Sequence, residues 1–170
     1  MARARQLLSC VLSSVAFGAV YGHVEYRYIT PYRPLIDAAL SRFPLLFSQF
    51  YPYHYFIMLP IFLLASYLAV RGTLPRPQSG AGLTRMKALA AWLLTAVLAE
   101  DVTWFGERVL WPRANEGLPG QWILCPLEWT CLGLPSLGPL PLWHIPFLLS
   151  LLALWLQTYT SLGQREGEFY

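Results

Sequence analysis

Four long apolar runs, separated by proline-rich or charged connectors, constrain the fold of this chain more than any other feature. The runs cover about residues 7–22, 53–70, 86–105 and 142–159. An α-helix needs about 20 mostly apolar residues to cross the hydrocarbon core of a bilayer. Only 12% of the residues are charged, against roughly 25% in a soluble domain. The sequence therefore predicts an all-α integral membrane protein, a four-helix transmembrane bundle forming one domain over residues 1–170.

The longer connectors predict a structured extracytoplasmic cap on the bundle. Residues 26–52 and 106–141 are rich in proline and aromatic side chains, and they are too polar and too broken to span. Within the first of them, residues 35–43 mix apolar and polar side chains. This pattern favours a short amphipathic helix in the membrane interface, with an ordered proline-rich loop as the alternative.

The first run has two interpretations. A basic start with Arg3 and Arg5, followed by apolar and small residues, is typical of a signal peptide. Ser14, Gly18 and Gly22, however, recur at every fourth position, and such a stripe of small residues lets another helix approach closely. Because a cleaved signal peptide has no need of this stripe, we expect a transmembrane helix.

The basic residues predict the orientation. The connector between the second and third runs carries Arg71, Arg76, Arg85 and Lys87 and no acidic residue. Loops rich in lysine and arginine stay on the cytoplasmic side of a membrane. Both termini are therefore expected in the cytoplasm, with the cap on the outer side.

This topology places every histidine and one acidic pair at the same membrane face. His23 ends the first run, His54 begins the second, Glu100 and Asp101 end the third, and His144 begins the fourth. Ionisable side chains in a membrane are expensive and mark functional sites by default. We therefore expect these five residues to share one outer-face site.

The five residues indicate two kinds of chemistry. Imidazole and carboxylate together are the ligand set of zinc, iron, manganese or copper, so all five are candidate ligands of a divalent transition metal. Glu100 and Asp101 are also candidate catalytic groups, because paired carboxyl groups can act as general acid and base. Nearby acids and tryptophans are candidates for a supporting shell: Glu25, Glu107, Glu128, Trp104, Trp129 and Trp143.

Three functions follow from these assignments. The leading hypothesis is an enzyme acting on a lipid-like substrate, through a metal or through acid/base chemistry such as the isomerisation of a sterol or isoprenoid. The second is an accessory subunit bound to partner membrane subunits. The third is a redox protein in which His23 and His54 ligate a haem or His144 hydrogen-bonds a quinone. In the plainer alternative, the histidines anchor helix ends at the interface, and Glu100 and Asp101 pair with Arg27 or Arg108.

Other patterns exclude several classes. The net charge of +3, without a basic stripe, argues against nucleic acid as a partner. Cys10 is expected to pack within the first helix, whereas Cys125 and Cys131 are candidates for a disulfide in the outer loop. The first outer loop has no cysteine, which excludes a quinone-coupled thiol oxidase. Residues 100–106 resemble the Glu-Glu-x-x-x-Arg-Gly motif of CAAX-type intramembrane proteases, but Phe105 replaces the arginine, so that activity is not expected.

Overall fold

The fold is described from a computed structural model of the chain. It describes residues 2–41, 52–74, 82–110, 136–137, 140–141 and 144–164. These residues are almost all helical, which confirms the predicted all-α class, and one very short strand pair is present among them.

The elements follow one another in a simple order. The helical ones are α1 (Ala2–Val24), a first π-helical segment (Glu25–Ile29), a 3-10 turn (Thr30–Tyr32), α2 (Arg33–Leu40), a second π-helical segment (His54–Met58), α3 (Leu59–Thr73), α4 (Gly82–Leu110) and α5 (His144–Gln164). Strands β1 (Ser136–Leu137) and β2 (Leu140–Pro141) pair antiparallel, with Leu137 opposite Leu140.

Three helical stretches are long and apolar enough to cross a membrane: Ala4–Leu40, His54–Thr73 and Gly82–Trp104. The chain is therefore a helical membrane protein, as predicted. The apolar part of α5, Ile145–Ser161, is shorter. A fourth crossing, and the orientation of the termini, stay predictions. Most of the predicted cap lies outside the described residues.

The first helical stretch continues well beyond the boundary predicted at residue 22. It runs without a break through the first π-helical segment and the 3-10 turn to the end of α2, so that Ala4–Leu40 has 37 residues. At about 1.5 Å per residue this stretch is far longer than the roughly 30 Å of a hydrocarbon core. Pro31 and Pro34 do not interrupt it: Pro31 lies in the 3-10 turn, and Pro34 lies in the first turn of α2, where the helix type changes. The helix predicted within residues 35–43 is present as the end of α2.

The first helix turns large side chains outward and small ones inward. Its exposed positions include Leu8, Leu12, Val15 and Val20, whereas Cys10, Ser14, Gly18 and Gly22 are buried. This is the pattern of a helix that faces lipid tails on one side and packs closely on another helix on the other.

The contacts between helices give their relative directions. In the contacts between the first helical stretch and α4, the residue numbers increase together in both helices: Ser13 contacts Trp92, Gly22 contacts Glu100, and Arg27 contacts Glu107. These two helices therefore run parallel. Residues 52–74, which we call the α3 region, run antiparallel to the first helical stretch: Cys10 contacts Thr73, whereas Glu25 contacts Tyr53. Alternating directions of this kind are what the predicted topology requires of its first three spans.

Tryptophan side chains tie the helices together with polar bonds. Each of three indole N–H groups donates to a hydroxyl oxygen of another element: Trp92 to Ser13 at 3.0 Å, Trp155 to Thr95 at 3.0 Å, and Trp104 to Thr30 at 3.2 Å. Such bonds matter in a bundle that lacks a hydrophobic driving force between its helices. The Trp104 bond lies beside the candidate site.

Candidate functional site

Two glycines of α1 bring α1 and α4 together beneath the site. A Cβ atom built on Gly18 would lie 2.1 Å from the carbonyl oxygen of Ala96, and one built on Gly22 would lie 2.5 Å from that of Glu100. Both oxygens belong to the backbone of α4, so no flexible side chain can move away to make room. The stripe of small residues is therefore occupied by α4 of the same chain.

Just beyond Gly22, this close approach brings three carboxyl groups together. Glu25 and Glu100 are both 5% exposed, and Asp101 is half-buried. The carboxyl groups of Glu25 and Asp101 lie next to that of Glu100, and Oε2 of Glu25 has no hydrogen-bond partner among the described residues. Two neighbouring carboxyl groups can hydrogen-bond with each other when one of them carries a proton, because an ionised carboxylate has no proton to donate. We call Glu25, Glu100 and Asp101 the carboxyl cluster.

Tyr53 connects the carboxyl cluster to the α3 region. Its fully buried hydroxyl group donates a hydrogen bond to Oε1 of Glu25. Its backbone N–H donates to Oδ1 of Asp37 at 3.1 Å, and Oδ2 of Asp37 lies 4.0 Å from Nε of Arg33. The start of the second span is thus held against the first helical stretch by both its side chain and its backbone.

A π-helical segment lies on each side of the bond between Tyr53 and Glu25. The first begins at Glu25, and the second follows Tyr53 directly. A π turn contains more residues than an α turn and often occurs at functional sites. In the first segment the consecutive residues Glu25 and Tyr26 are both buried. The π-helical segments therefore position residues of the site as well as forming part of the spans.

Tyr21 adds a buried hydroxyl group one turn before Glu25. The residue is 8% exposed, and no other described group hydrogen-bonds with its hydroxyl oxygen. Positions four apart share a face of an α-helix, so Tyr21 lies on the same face as Glu25, and it interacts electrostatically with both Glu25 and Glu100. Its ring packs edge-on against Phe62 at 4.9 Å between centroids.

A second aromatic pair lies on the side of the first π-helical segment. The fully buried ring of Tyr26 packs edge-on against Trp104, with 5.6 Å between ring centroids. The indole of Trp104 donates to Thr30, whose hydroxyl group in turn donates to the carbonyl oxygen of Glu25 at 2.9 Å. These bonds fix the backbone that carries Glu25.

A separate group of charged side chains lies at the same end of the bundle. Nδ1 of His23 is 2.6 Å from Oε1 of Glu107, and Nε of Arg27 is 2.8 Å from Oε2. Desolvation raises the pKa of Glu107, but the hydrogen bonds and charges of His23 and Arg27 lower it more, so that the pKa lies below its ordinary value. The His23 side chain is 48% exposed. We call His23, Arg27 and Glu107 the peripheral ion-pair group.

The predicted acids and tryptophan fall into both groups. Glu100 and Asp101, the predicted catalytic pair, belong to the carboxyl cluster together with Glu25, which the sequence analysis assigns to the supporting shell. Glu107 belongs to the peripheral ion-pair group instead. Trp104 supports the backbone next to Glu25 through its bond to Thr30.

The predicted histidine ligands occupy different surroundings. His23 hydrogen-bonds with Glu107, and the ring of His54 lies 4.2 Å from that of Tyr53. The side chain of His144 lies outside the described residues. Other predicted residues also lie outside them: Glu128, Trp129, Trp143, Cys125, Cys131 and the side chain of Arg108. Arg27, the alternative partner of Glu100 and Asp101, contacts Glu107.

The described side chains include no group of three or more His, Cys, Asp or Glu that is arranged to hold a metal ion. The five-residue metal site as a whole stays a prediction, because the side chain of His144 is not among them. The described arrangement, an acid next to two other acids and a tyrosine that donates to one of them, is one in which neighbouring carboxyl groups can share a proton.

Sequence reasoning does not identify the two tyrosines of the site. Tyr53 is less conspicuous than its neighbour His54, and Tyr21 reads as part of a transmembrane run. One signal is available for Tyr21 and Glu25: both lie next to the face that Ser14, Gly18 and Gly22 define, once the helix is continued beyond Gly22.

No family model matches this chain, and no curated protein or solved structure resembles it closely enough to count as a match. What the site can do chemically therefore rests on its own residues. A set of carboxyl groups that shares protons can donate a proton to a bound molecule and accept one from it.

Proposed function

We propose that this protein is a small integral membrane enzyme whose carboxyl cluster acts as general acid and base on a lipid-like substrate. One observation supports this above all: the buried carboxyl groups of Glu25 and Glu100 come from two parallel helices and lie next to each other. Enzymes that move protons commonly place such groups where burial and neighbouring charges alter their protonation.

The roles within the cluster follow from its hydrogen bonds. The protonated member of the Glu25–Glu100 pair donates a proton to the substrate, and Asp101 or the ionised member removes one from another atom. In an isomerisation the substrate gains one proton and loses one, so the cluster keeps the same number of protons. Transfer of a proton from the acceptor back to the donor within the cluster restores the starting state without a further reactant. Tyr53 is a positioning residue, because its hydroxyl group fixes the Glu25 carboxyl group.

The location of the cluster favours a substrate that arrives from the bilayer. Glu100 and Asp101 lie in the last turns of the candidate span Gly82–Trp104, and Glu25 lies beside them. The outward faces of the surrounding helices are large aliphatic side chains such as Leu12 and Leu63. A sterol or isoprenoid with a carbon–carbon double bond suits such a site. In the predicted orientation the site faces the outer side of the membrane.

The competing functions have less support. An accessory subunit would use the stripe of small residues to bind its partner, but α4 occupies that stripe. A metal enzyme requires a ligand group that the described side chains do not form. A haem held between His23 and His54 would engage two side chains whose described contacts are with Glu107 and Tyr53.

The incorporation of deuterium into lipids tests the proposal. A mixture of lipids is used, so that no single substrate has to be chosen. Purified protein in nanodiscs is incubated in D2O with a total lipid extract that includes sterols and isoprenoids, and the lipids are analysed by mass spectrometry. An acid/base enzyme acting on carbon transfers deuterium from its carboxyl groups, so we expect at least one lipid to gain mass or to isomerise. Glu100→Gln should abolish this, because an amide neither donates nor accepts the proton in the same way.

The matched control is Glu107→Gln, the same chemical change on the same helix outside the cluster. It should leave deuterium incorporation nearly unchanged. Incorporation that is absent from the wild type, or equal in wild type and Glu100→Gln, would refute the proposed function.

A further inference from the structure

The hydroxyl group of Tyr21 is an unexplained feature of the site. It is buried, and no other described group hydrogen-bonds with its oxygen, although almost all buried polar groups in proteins have such a partner. It lies on the same helix face as Glu25 and interacts electrostatically with Glu25 and Glu100. A polar atom buried beside the carboxyl cluster, with no partner among the described residues, points to a bound group that satisfies it.

The charges at this end of the bundle indicate the sign of that group. The carboxyl cluster contains three acids: Oε1 of Glu25 accepts a hydrogen bond from the neutral Tyr53, and Oε2 of Glu25 is buried without a hydrogen-bond partner among the described residues. The nearby basic side chains contact acids outside the cluster. His23 and Arg27 contact Glu107, and Arg33 contacts Asp37. The charge of Arg33 also interacts with Glu25, but at a longer distance. A positively charged group would therefore be stabilised at the cluster more than a neutral one.

We infer that Tyr21 and the carboxyl cluster together bind the ammonium group of a lipophilic amine. One ammonium N–H donates to a carboxylate oxygen of Glu25 or Glu100, and a second N–H of the same group donates to the Tyr21 oxygen. The rings of Tyr21, Phe62 and Tyr26 offer aromatic surfaces to the cation and to apolar groups attached to it. The site is the one used in the proposed function, but binding of the amine does not depend on catalysis.

Calorimetric titration of the full-length protein in phosphatidylcholine nanodiscs tests this inference, with empty nanodiscs subtracted. The probe is 4-phenylbutan-1-amine at pH 7, where it is protonated, and 4-phenylbutan-1-ol is the neutral control. We expect the amine to bind about tenfold more tightly than the alcohol, because a charge-assisted hydrogen bond is roughly twice as strong as a neutral one.

The variants separate the cluster from its surroundings. Glu25→Gln and Glu100→Gln should each weaken amine binding by about tenfold, and Tyr21→Phe by about threefold, since the last removes only a neutral acceptor. Tyr21→Phe retains the ring that packs on Phe62 and removes a hydroxyl group without a described partner, so it should fold normally. Glu107→Gln should bind the amine as the wild type does.

Three results would overturn the inference: equal binding of amine and alcohol, no binding above that of empty nanodiscs, or binding unaffected by both Tyr21→Phe and Glu100→Gln. The outcome is independent of deuterium incorporation. Amine binding without deuterium incorporation would refute the proposed enzyme and leave the amine site standing, whereas deuterium incorporation without amine binding would refute this inference alone.

Discussion

Glu100 and Glu107 lie about two turns apart on α4, yet the charges around their carboxyl groups are of opposite kinds. Glu107 receives hydrogen bonds from His23 and Arg27 in the peripheral ion-pair group. Glu100 is surrounded by Glu25 and Asp101, so its neighbours are of the same kind as itself. The two residues share a helix and a residue type, and only their surroundings differ.

The difference shows which acid is explained by stability and which is not. Glu107 lies beyond the candidate span that ends at Trp104, where an acid with two basic partners is an ordinary surface arrangement. Glu100 lies within that span and is buried among acids, an arrangement that works against folding. Packing alone does not explain its presence, and this contrast is what the following predictions test.

The largest expected effect comes from the glycine beneath the cluster. Gly22→Ile would place a branched side chain against the carbonyl oxygen of Glu100, a backbone atom only 2.5 Å from the new Cβ. Overpacking a core typically costs about 1–3 kcal/mol, and the upper end or more is expected here because the backbone cannot yield. Unfolding in detergent, followed by circular dichroism, measures the change.

Gly106→Ala on α4 is the matched control, because a Cβ atom at Gly106 would meet nothing within 4 Å. Alanine should leave stability equal or raise it by up to about 1 kcal/mol, the difference in helix propensity. If Gly22→Ile proved as stable as Gly106→Ala, the close approach of α1 and α4 described above would be wrong.

The helices of this protein are predictable, whereas the end of the first one is not. Apolar runs of the right length predict the spans, and Glu100 and Asp101 stand out at the end of one of them. The polar residues after Gly22, followed by Pro31 and Pro34, have the composition of a helix end, yet helical structure continues. A π-helical segment has no signature in a period of 3.6 residues. Ending the helix too early is what keeps Glu25 out of the predicted centre.

Which side chains meet across helices is the least predictable part. Tyr53, His54 and Tyr55 all lie at the start of the second span, and each has a polar group that suits a membrane interface. Only the angle at which the α3 region packs against the first helical stretch places the Tyr53 hydroxyl group on Glu25. Sequence reasoning therefore favours His54, whose imidazole has the more versatile chemistry, although it is Tyr53 whose side chain contacts Glu25.

A smaller effect is expected when one bond is removed from each group. Tyr53→Phe leaves an oxygen of buried Glu25 without its hydroxyl donor and should cost about 1–3 kcal/mol. Arg27→Gln removes a partner of Glu107 at the exposed side and should cost less than about 1 kcal/mol. Denaturant titration of both variants in the same detergent gives the comparison directly. An Arg27→Gln variant less stable than Tyr53→Phe would invert the contrast between the two groups.

The smallest effect concerns the pH dependence of the peripheral ion-pair group. The pKa of Glu107 is lower in the folded protein than its unfolded value of about 4.3, so the ionised form stabilises the fold. This contribution is fully present above about pH 4.3 and is lost as the pH falls through the lower, folded pKa. Glu107→Gln should therefore be less stable than the wild type at pH 7, by under about 1 kcal/mol, and the difference should shrink below pH 4.3 and in high salt. Paired unfolding titrations at pH 7 and pH 3 measure it. A difference as large at pH 3 as at pH 7 would mean that Glu107 stabilises the protein through packing rather than charge, and the peripheral ion-pair group would then differ from the carboxyl cluster less than its contacts indicate.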